Sequence, residues 1–408
     1  MIRSASLLLA FACLAACAHA PSTADTRTPL LLVSVDGLRP GDVTPALMPR
    51  LSELARHGVR AEGMRPSYPS LTFPNHYTLV TGLRPDRHGI VHNTMRDATL
   101  GDFRLSRREA VGDGRWWGGV PVWVSAERAG LRTATLFWPG SEAEIDGVRP
   151  SRWTLFDQSM PADARSDTVA GWLLEPADRR PAFATLYFDE VDHDSHMHGP
   201  DSEQARAAIR GTDAAIGRLL DALDARGIRG QVNIVVVSDH GMAEVAPANA
   251  VAIEEMAPPD IAENVSGGQV VTFIPKAGHE AQARSRLLGR HARYECHDKQ
   301  ALPARWHYGS HPRIPPIVCQ MDEGWDALPA AILVRRPATP RGSHGYDPAL
   351  PSMRATFIAA GPAFRPGTSM PVFDNVDVYP LLMRLLQLQP AANDGDPSTF
   401  EAVLAPGT

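Results

Sequence analysis

The chain has 408 residues, 44% of them hydrophobic, which is enough for a sizeable core in one large domain or two modest ones. Its formal charge of −6 is mild, and no lysine or arginine run forms a basic stripe, which argues against a nucleic-acid groove as the main binding surface. The 36 prolines and 33 glycines are spread along the sequence and predict many ordered loops.

The N-terminal residues have the pattern of an export signal. An apolar run from Ala5 to about Ala18 is shorter than the roughly 18 to 20 residues that a membrane span requires. The stretch LAAC ends at Cys17 and is typical of a bacterial lipobox, which predicts a lipoprotein-type signal peptide over 1–17, acylation of Cys17 and a tether over 18–28. Cleavage after Ala20 is the alternative. We expect an exported, periplasmic protein that contacts a bacterial membrane only through its lipid anchor.

Strands and helices alternate along the predicted core. Buried strands are predicted by three apolar runs, which are Pro29 to Val35, Ala182 to Phe188 and Val232 to Ser238. Helical periodicity covers Pro45 to Gly58, with Gly58 as the C-cap, and Ser202 to Gly227. This alternation predicts an α/β fold with a mainly parallel sheet.

Residues 29–390 are expected to form one catalytic domain with insertions at about 97–170 and 250–329. The first insertion is rich in tryptophan, glycine and proline and has no clear periodicity, so it is interpreted as an elaboration over the site. After the second insertion the chain is expected to return to the core through AILVRR (331–336) and ATFIAAGP (355–362).

Of the four cysteines, only Cys296 and Cys319 lie outside the predicted signal peptide. Oxidation is permitted in an exported chain, so a disulfide between them is predicted, worth roughly 3 kcal/mol on the chain-entropy model. Zinc binding by this pair is the weaker alternative, because neither cysteine belongs to a Cys-x-x-Cys motif.

Acidic residues and histidines follow all three predicted strands. They are Asp36 after the first, Asp192 and His196 in DEVDHDSH after the second, and Asp239 and His240 after the third. Ligand groups in open α/β sheets gather outside the carboxyl ends of the strands, so these side chains are expected to converge on one site. His193 and His198 are interpreted as solvated or supporting groups.

Together with His344 in GSHGYD, these residues make six candidate metal ligands. Each is ambiguous alone, since His344 could be a loop hydrogen-bonder and Asp36 a turn former. The mixture of carboxylates and imidazoles favours zinc, with manganese or iron behind it. Six ligands divide into two sets of three, each leaving an open position as catalytic zinc requires. Two ions roughly 4 Å apart suit in-line displacement at phosphorus.

The sequence also resembles a known family. Its similarity to the nucleotide pyrophosphatase/phosphodiesterases of the alkaline phosphatase superfamily is carried by VSVDGLRP, PSLTFPNHYTLVTGLRPDRHGIVHN, FWPGSE, DEVDHDSHMHGP, VVVSDHGM and GSHGYDP. LPARWHYGSHPRIPPIV is similar as well, and the likeness runs from about Pro29 to about Leu386. The resemblance implies an alkaline-phosphatase-like α/β fold, with helices flanking a mainly parallel sheet and loop-rich insertions over a bimetal site.

The resemblance also implies how the ligands divide between two zinc ions. One ion would be held by Asp192, His196 and His344. The other would be held by Asp36, Asp239, His240 and the nucleophile Thr72. Pro74 is what the first turn of a helix tolerates, so Thr72 is expected at a helix N-terminus, where free N–H groups and the helix dipole favour an anion.

Substrate contacts follow from the same resemblance. Asn93, in IVHN, would hydrogen-bond a non-bridging phosphoryl oxygen. Phe73 and Phe156 would form an aromatic slot for a base or another flat group, and Trp138 would line it. Phe156 stands where the family often has tyrosine, so it keeps the stacking face and lacks the hydroxyl.

The expected activity is hydrolysis of nucleotide-type phosphodiesters through a phosphothreonine intermediate, releasing a nucleoside monophosphate. Asn93 is a neutral donor that suits a monoanionic diester. A sulfatase is not expected, because LTFPN stands where sulfatases have a Cys/Ser-x-Pro-x-Arg motif. Two alternatives remain open at this point. One is a choline-phosphodiester or lysophospholipid phosphodiesterase of the same family, and the other is a non-catalytic, zinc-stabilised binding lipoprotein.

Overall fold

The computed structural model describes residues 27–408. The predicted signal peptide, Cys17 and the tether up to residue 26 lie outside the described residues. None of the helices among residues 27–408 combines the length and the apolar character that crossing a bilayer would require.

Strands and helices alternate as the sequence predicts. The strands are β1 Leu30–Val35, β2 Val59–Ala61, β3 Met64–Arg65, β4 Thr94–Asp97, β5 Gly101–Arg104, β6 Thr133–Leu136, β7 Arg152–Thr154, β8 Phe183–Phe188, β9 Asn233–Val237, β10 Ala243–Val245, β11 Ala250–Ala252, β12 Ala262–Ser266, β13 Val270–Pro275, β14 Gly289–Arg290, β15 Tyr294–Asp298, β16 Ile317–Met321, β17 Asp326–Leu328, β18 Arg341–Ser343, β19 Phe357–Ala360, β20 Thr368–Met370 and β21 Phe373–Asp374. The α-helices are α1 Pro49–Arg56, α2 Thr72–Thr81, α3 Pro85–His88, α4 Arg108–Val111, α5 Val122–Arg128, α6 Ala162–Leu173, α7 Glu190–His198, α8 Glu203–Ala225, α9 Ile253–Met256, α10 Glu280–Leu287, α11 Ala330–Leu333 and α12 Val378–Leu385.

An eight-stranded sheet in the order β20-β2-β19-β9-β1-β8-β6-β7 forms the centre of the fold. β1 pairs in parallel with β8 and β9, and β6 pairs in parallel with β7 and β8, whereas β19 is antiparallel to β2 and β9. Alternate residues of β1 enter two apolar clusters, one shared with α1, α6 and α8 and the other with α2, α5 and α12. The predicted α/β fold with a mainly parallel sheet flanked by helices is therefore confirmed.

Two helix predictions had different outcomes. α8 matches the prediction closely, and the Ser202 hydroxyl caps it by accepting a hydrogen bond from the Ala205 N–H at 3.1 Å. α1 begins four residues later than predicted, where the distant Asp213 carboxylate accepts hydrogen bonds from the N–H groups of Arg50 and Leu51. The prediction of Gly58 as C-cap is wrong, because His57 occupies that position and Gly58 has no left-handed φ.

The expected domain limits also differ from the structure in places. β6 lies inside the main sheet although it falls within the expected insertion 97–170. The expected return to the core through AILVRR is wrong: prolines at 329 and 337 leave room for one helical turn, and Val334 is 89% exposed. ATFIAAGP does form the buried strand β19. The folded part extends past 390, since Phe400 is buried against Phe357 and Phe373.

The region 250–329 contains a second, five-stranded sheet in the order β12-β13-β16-β15-β14. The predicted disulfide is present and joins Cys296 to Cys319, which are paired across β15 and β16. The loop between these strands braces the centre of the molecule: the ring of Trp306 stacks on Tyr68 with centroids 4.1 Å apart, and the Tyr308 hydroxyl donates to the Val91 carbonyl at 3.0 Å. It therefore supports the segments that lead into Thr72 and Asn93.

Glycine is required at position 58 because the backbone of β19 approaches it closely. A Cβ there would lie 2.2 Å from the Ala359 carbonyl oxygen, whereas a Cβ at Gly171 in α6 would meet nothing within 4 Å. Gly58→Ala should lower the free energy of unfolding by about 1 to 3 kcal/mol through overpacking. Gly171→Ala should leave it unchanged or raise it by up to about 1 kcal/mol. Urea unfolding of both variants checks this, and equal stability of the two would contradict the packing argument.

Candidate active site

The carboxyl ends of β1, β8 and β9 lie side by side, because the three strands are parallel neighbours. All six predicted ligands lie near these ends: Asp36 follows β1, Asp192 and His196 lie in α7 after β8, Asp239 and His240 follow β9, and His344 follows β18. The potential ligand atoms of Asp192, His196 and His344 lie within 4.8 Å of one another, as do those of Asp36, Asp192 and His240. Asp239 adjoins them, with its Oδ2 2.9 Å from His240 Nε2. The structure thus brings the predicted set together.

Each of the three carboxylates has one buried oxygen that accepts no hydrogen bond from residues 27–408. These atoms are Asp36 Oδ1, Asp192 Oδ1 and Asp239 Oδ2. The second oxygen of Asp36 accepts a hydrogen bond from the Tyr187 hydroxyl at 2.6 Å, and that of Asp239 accepts one from the Gly37 N–H at 3.2 Å. Buried acceptors without partners are rare in folded proteins. Cations would satisfy these three oxygens.

The three histidines point the same nitrogen at these oxygens. The Nδ1 atoms of His196, His240 and His344 lie 2.8 to 2.9 Å from the carbonyl oxygens of Gly342, Gly241 and Ser70, respectively. A carbonyl only accepts, so each Nδ1 carries a proton, and in the neutral form of each ring Nε2 presents a lone pair. Histidine ligands in metal sites are oriented in this way. His196 Nε2 lies 3.3 Å from Asp192 Oδ1, so two acceptors face each other where a cation fits between them.

The pKa values reflect the close approach of several charged groups in a buried site. Burial and the nearby carboxylates of Asp239 and Asp192 raise the pKa of Asp36 well above its ordinary value. Against the effect of burial, neighbouring carboxylates raise the pKa values of His196 and His240. Burial and the neighbouring His240 lower the pKa of His344 to about 3. The carboxylates create a negative field at His196 and His240 that attracts positive charge. His344 stays neutral and is therefore able to act as a ligand.

Thr72 and Asn93 meet at the start of α2. Thr72 is the first residue of that helix, as predicted, and its Oγ1 lies 3.3 Å from His240 Nε2. The Asn93 side-chain oxygen accepts a hydrogen bond from the Phe73 N–H at 3.0 Å. Since that contact requires an oxygen, the Asn93 amide nitrogen is left as a donor on the other side of the group.

Two supporting residues were missed by the sequence analysis. His76, one turn after Thr72 on α2, places Nδ1 2.9 Å from the Thr72 carbonyl and 3.3 Å from Asp239 Oδ2, while its Nε2 contacts Ser34 Oγ at 2.8 Å. Tyr187 donates to Asp36 from the neighbouring strand. The four-residue spacing from Thr72 could have pointed to His76, because residues i and i+4 share a helix face. Nothing in the sequence signals the Tyr187 contact.

A cleft of about 270 Å³ opens next to the carboxylates and histidines. Phe73 and Phe156, the two residues expected to form an aromatic slot, both line it. Trp138 lines it too, but its indole N–H donates to the His76 carbonyl at 3.2 Å, so it also supports α2. Arg108 is the only lysine or arginine among the lining residues, and it is paired with Glu142 at 2.6 Å.

Comparison with known proteins gives a match over most of the chain. The sequence profile of the family described as type I phosphodiesterase/nucleotide pyrophosphatase matches residues 30–347. The venom phosphodiesterase CdcPDE of Crotalus durissus collilineatus is 35% identical over 400 residues, covering 93% of this chain and 46% of that protein. Ectonucleotide pyrophosphatase/phosphodiesterase family member 1 of Homo sapiens is 33% identical, covering 92% of this chain and 42% of that protein. The chain thus spans less than half the length of these curated relatives.

Solved structures resemble the fold at similar coverage. An inactive form of murine ectonucleotide pyrophosphatase/phosphodiesterase 5, in complex with AMP, superposes with a TM-score of 0.87 at 29% identity and covers 93% of this chain and 100% of that chain. The human protein of the same name gives a TM-score of 0.86 at 29% identity, covering 92% of this chain and 99% of that chain.

His88 ties α2 to the loop that carries Asn93: its Nδ1 accepts from the Ile90 N–H at 3.1 Å, and its Nε2 lies 3.2 Å from the Pro74 carbonyl. Burial lowers the pKa of His88 to about 3 from an ordinary value of 6.5. As pH falls below about 6.5 the unfolded chain takes up the proton first, so stability is lost on acidification.

Between pH 7 and pH 5.5 this group should account for about 1 kcal/mol of lost stability. His88→Gln should remove that share of the loss, whereas His57→Gln, at an exposed position, should not. Urea unfolding at both pH values measures the difference. An equal acid loss in wild type and His88→Gln would show that His88 is not the titrating group.

Proposed function

Because the chain belongs to the type I phosphodiesterase/nucleotide pyrophosphatase family, we propose that it hydrolyses nucleotide-type phosphodiesters at two zinc ions, with Thr72 as nucleophile. The observation that carries the proposal is a set of three buried carboxylate oxygens that have no hydrogen-bond partner among residues 27–408. They lie opposite three histidine Nε2 atoms, beside the Thr72 hydroxyl. The named activities of the relatives are phosphodiesterase and nucleotide pyrophosphatase, which does not favour a lysophospholipid substrate or a non-catalytic binding protein.

Zinc suits this donor set because imidazoles and carboxylates are mixed in it. One ion would be held by Asp192, His196 and His344, and the other by Asp36, Asp239, His240 and Thr72. When bound, zinc supplies Lewis-acid stabilisation of developing negative charge and lowers the pKa of a coordinated hydroxyl.

The chain's own groups account for the rest of the reaction. Thr72 Oγ1 gives up its proton to water and attacks phosphorus in line, forming an O–P bond while the bond to the leaving oxygen breaks and the leaving group departs as an alcohol or a phosphate. The Asn93 amide nitrogen donates a hydrogen bond to a non-bridging oxygen of the phosphoryl group. Water then attacks the phosphothreonine, releasing the nucleoside monophosphate and restoring the hydroxyl. Two inversions give net retention of configuration at phosphorus.

The charge of the cleft favours phosphodiesters over phosphomonoesters as substrates. A monoester dianion carries more negative charge than a diester and calls for additional cationic groups. Asn93 is neutral, and the one guanidinium that lines the cleft in the described part of the chain, that of Arg108, is already paired with Glu142. The aromatic rings of Phe73 and Phe156 provide stacking faces for a base.

The proposal includes the cellular setting. The relatives' names refer to venom and to ectoenzymes, which agrees with export. Acylation at Cys17 would then anchor the protein in a bacterial membrane with the catalytic domain in the periplasm, and small-molecule phosphodiesters would reach it there.

The test compares zinc-loaded wild type, Thr72→Ala and the control Thr168→Ala, whose hydroxyl donates to the Ala164 carbonyl of its own helix. We expect wild type and Thr168→Ala to have a higher kcat/KM for the nitrophenyl ester of a nucleoside monophosphate than for nitrophenyl phosphate. Thr72→Ala should lose at least about a thousandfold in kcat, as loss of a nucleophile does, while retaining its zinc. Equal or faster monoester turnover, or an active Thr72→Ala, would overturn the assignment.

A further inference from the structure

A buried ion pair beside the cleft has no part in the reaction proposed above. The side chain of Arg165 is only 1% exposed and contacts the Asp189 carboxylate at 2.7 Å, and Asp189 itself lines the cleft. Removing two charges from water costs several kcal/mol per ion, so such a pair is weak evidence for a stabilising role alone. The groups that this ion pair holds in place therefore indicate its role.

Arg165 holds a turn on the wall of the cleft. Its Nε donates to the Met160 carbonyl at 2.9 Å, and its Nη1 donates to the Tyr187 carbonyl at 3.1 Å. Inside the turn, the Asp157 carboxylate accepts hydrogen bonds from the backbone N–H and the hydroxyl of Ser159 at 2.9 and 2.6 Å. Residues 157–160 are thus fixed from both sides.

Gln158 lies in this turn and lines the cleft. Its Nε2 donates to Asp189 Oδ2 at 3.0 Å. The orientation of the amide group follows from chemistry, because a carboxylate oxygen accepts a hydrogen bond and the amide nitrogen donates one. The Gln158 Oε1 is consequently turned away from Asp189, and no hydrogen bond among residues 27–408 uses it. Gln158 is exposed, so its Oε1 is an acceptor on the cleft wall that is open to solvent or to a ligand.

The position of this acceptor indicates which part of a ligand it meets. Gln158 follows Phe156 of the aromatic slot by two residues, and its amide is bonded to Asp189, which directly precedes α7 with the ligands Asp192 and His196. The amide therefore connects the aromatic side of the cleft to the side with the carboxylates and histidines. In a nucleotide, the sugar lies between the base and the phosphate and carries hydroxyl donors.

We propose that Gln158 is a specificity-determining residue whose Oε1 accepts a hydrogen bond from a ribose hydroxyl, so that ribonucleoside esters are preferred over deoxyribonucleoside esters. This inference rests on the proposed function, since it takes the base to lie in the aromatic slot and the phosphate at the metal ligands. Arg165 and Asp189 act as positioning residues that hold the amide in one orientation.

The experiment measures kcat/KM for the nitrophenyl 5′-phosphate esters of uridine, 2′-deoxyuridine and 3′-deoxyuridine. Wild type should use at least one deoxy substrate about fivefold to tenfold less well than the uridine ester, which corresponds to a hydrogen bond worth about 1 to 1.4 kcal/mol. Gln158→Met keeps the side-chain length without the acceptor and should abolish that difference. Gln204→Met, at an exposed position on α8, should preserve it.

Methyl nitrophenyl phosphate separates the failure of this inference from that of the proposed function. If wild type hydrolyses the uridine ester no better than the methyl ester, the nucleotide assignment fails and the subsite fails with it. If the uridine ester is preferred but wild type treats all three nucleosides alike, or Gln158→Met keeps the discrimination, only the role of Gln158 is overturned.

Discussion

The mutual repulsion of three buried carboxylates, those of Asp36, Asp192 and Asp239, is the constraint on which the rest of the structure depends. The potential ligand oxygen of Asp36 lies within 4.8 Å of one from Asp192 and of one from Asp239. At about 4 Å and an effective dielectric constant of about 20, two negative charges repel by about 4 kcal/mol. The raised pKa of Asp36 follows from burial and from this repulsion. The neighbouring histidines offset part of this repulsion, since, against the effect of burial, His196 lowers the pKa of Asp192 and His240 lowers that of Asp239, whereas the pKa of Asp36 stays raised. Cations bound at these oxygens would relieve the remaining repulsion and would thereby couple metal binding to folding.

Many contacts away from the ligands serve to hold this unfavourable arrangement. Tyr187 and Gly37 each occupy one oxygen of a carboxylate and leave the other one for a cation. Backbone carbonyls fix the three imidazoles, and Gly342 allows the close approach behind His196, since a Cβ there would lie 2.5 Å from the Ser195 carbonyl oxygen. The second sheet braces the segments before Thr72 and Asn93 through Trp306 and Tyr308. Contacts from the surrounding fold are needed to hold these like-charged side chains close to one another.

The sequence predicted whatever depends on local pattern. Continuous apolar runs identified β1, β8 and β9, and the rule that ligands gather at strand ends then identified six residues that do lie together. Prediction from the sequence failed where contacts with residues far along the chain determine the local structure. The start of α1 is set by Asp213, more than 160 residues away, and AILVRR has core-like composition but packs on nothing that would bury Val334. His76 and Tyr187 matter only through partners that the fold supplies.

The most direct test of the central claim is the metal content of the folded chain. Protein equilibrated with zinc and freed of excess ion by gel filtration would be analysed by inductively coupled plasma mass spectrometry at neutral pH. We expect two zinc ions per chain, since one ion would leave part of the carboxylate repulsion without compensation. A fully folded, active chain that retains one ion or none would contradict it.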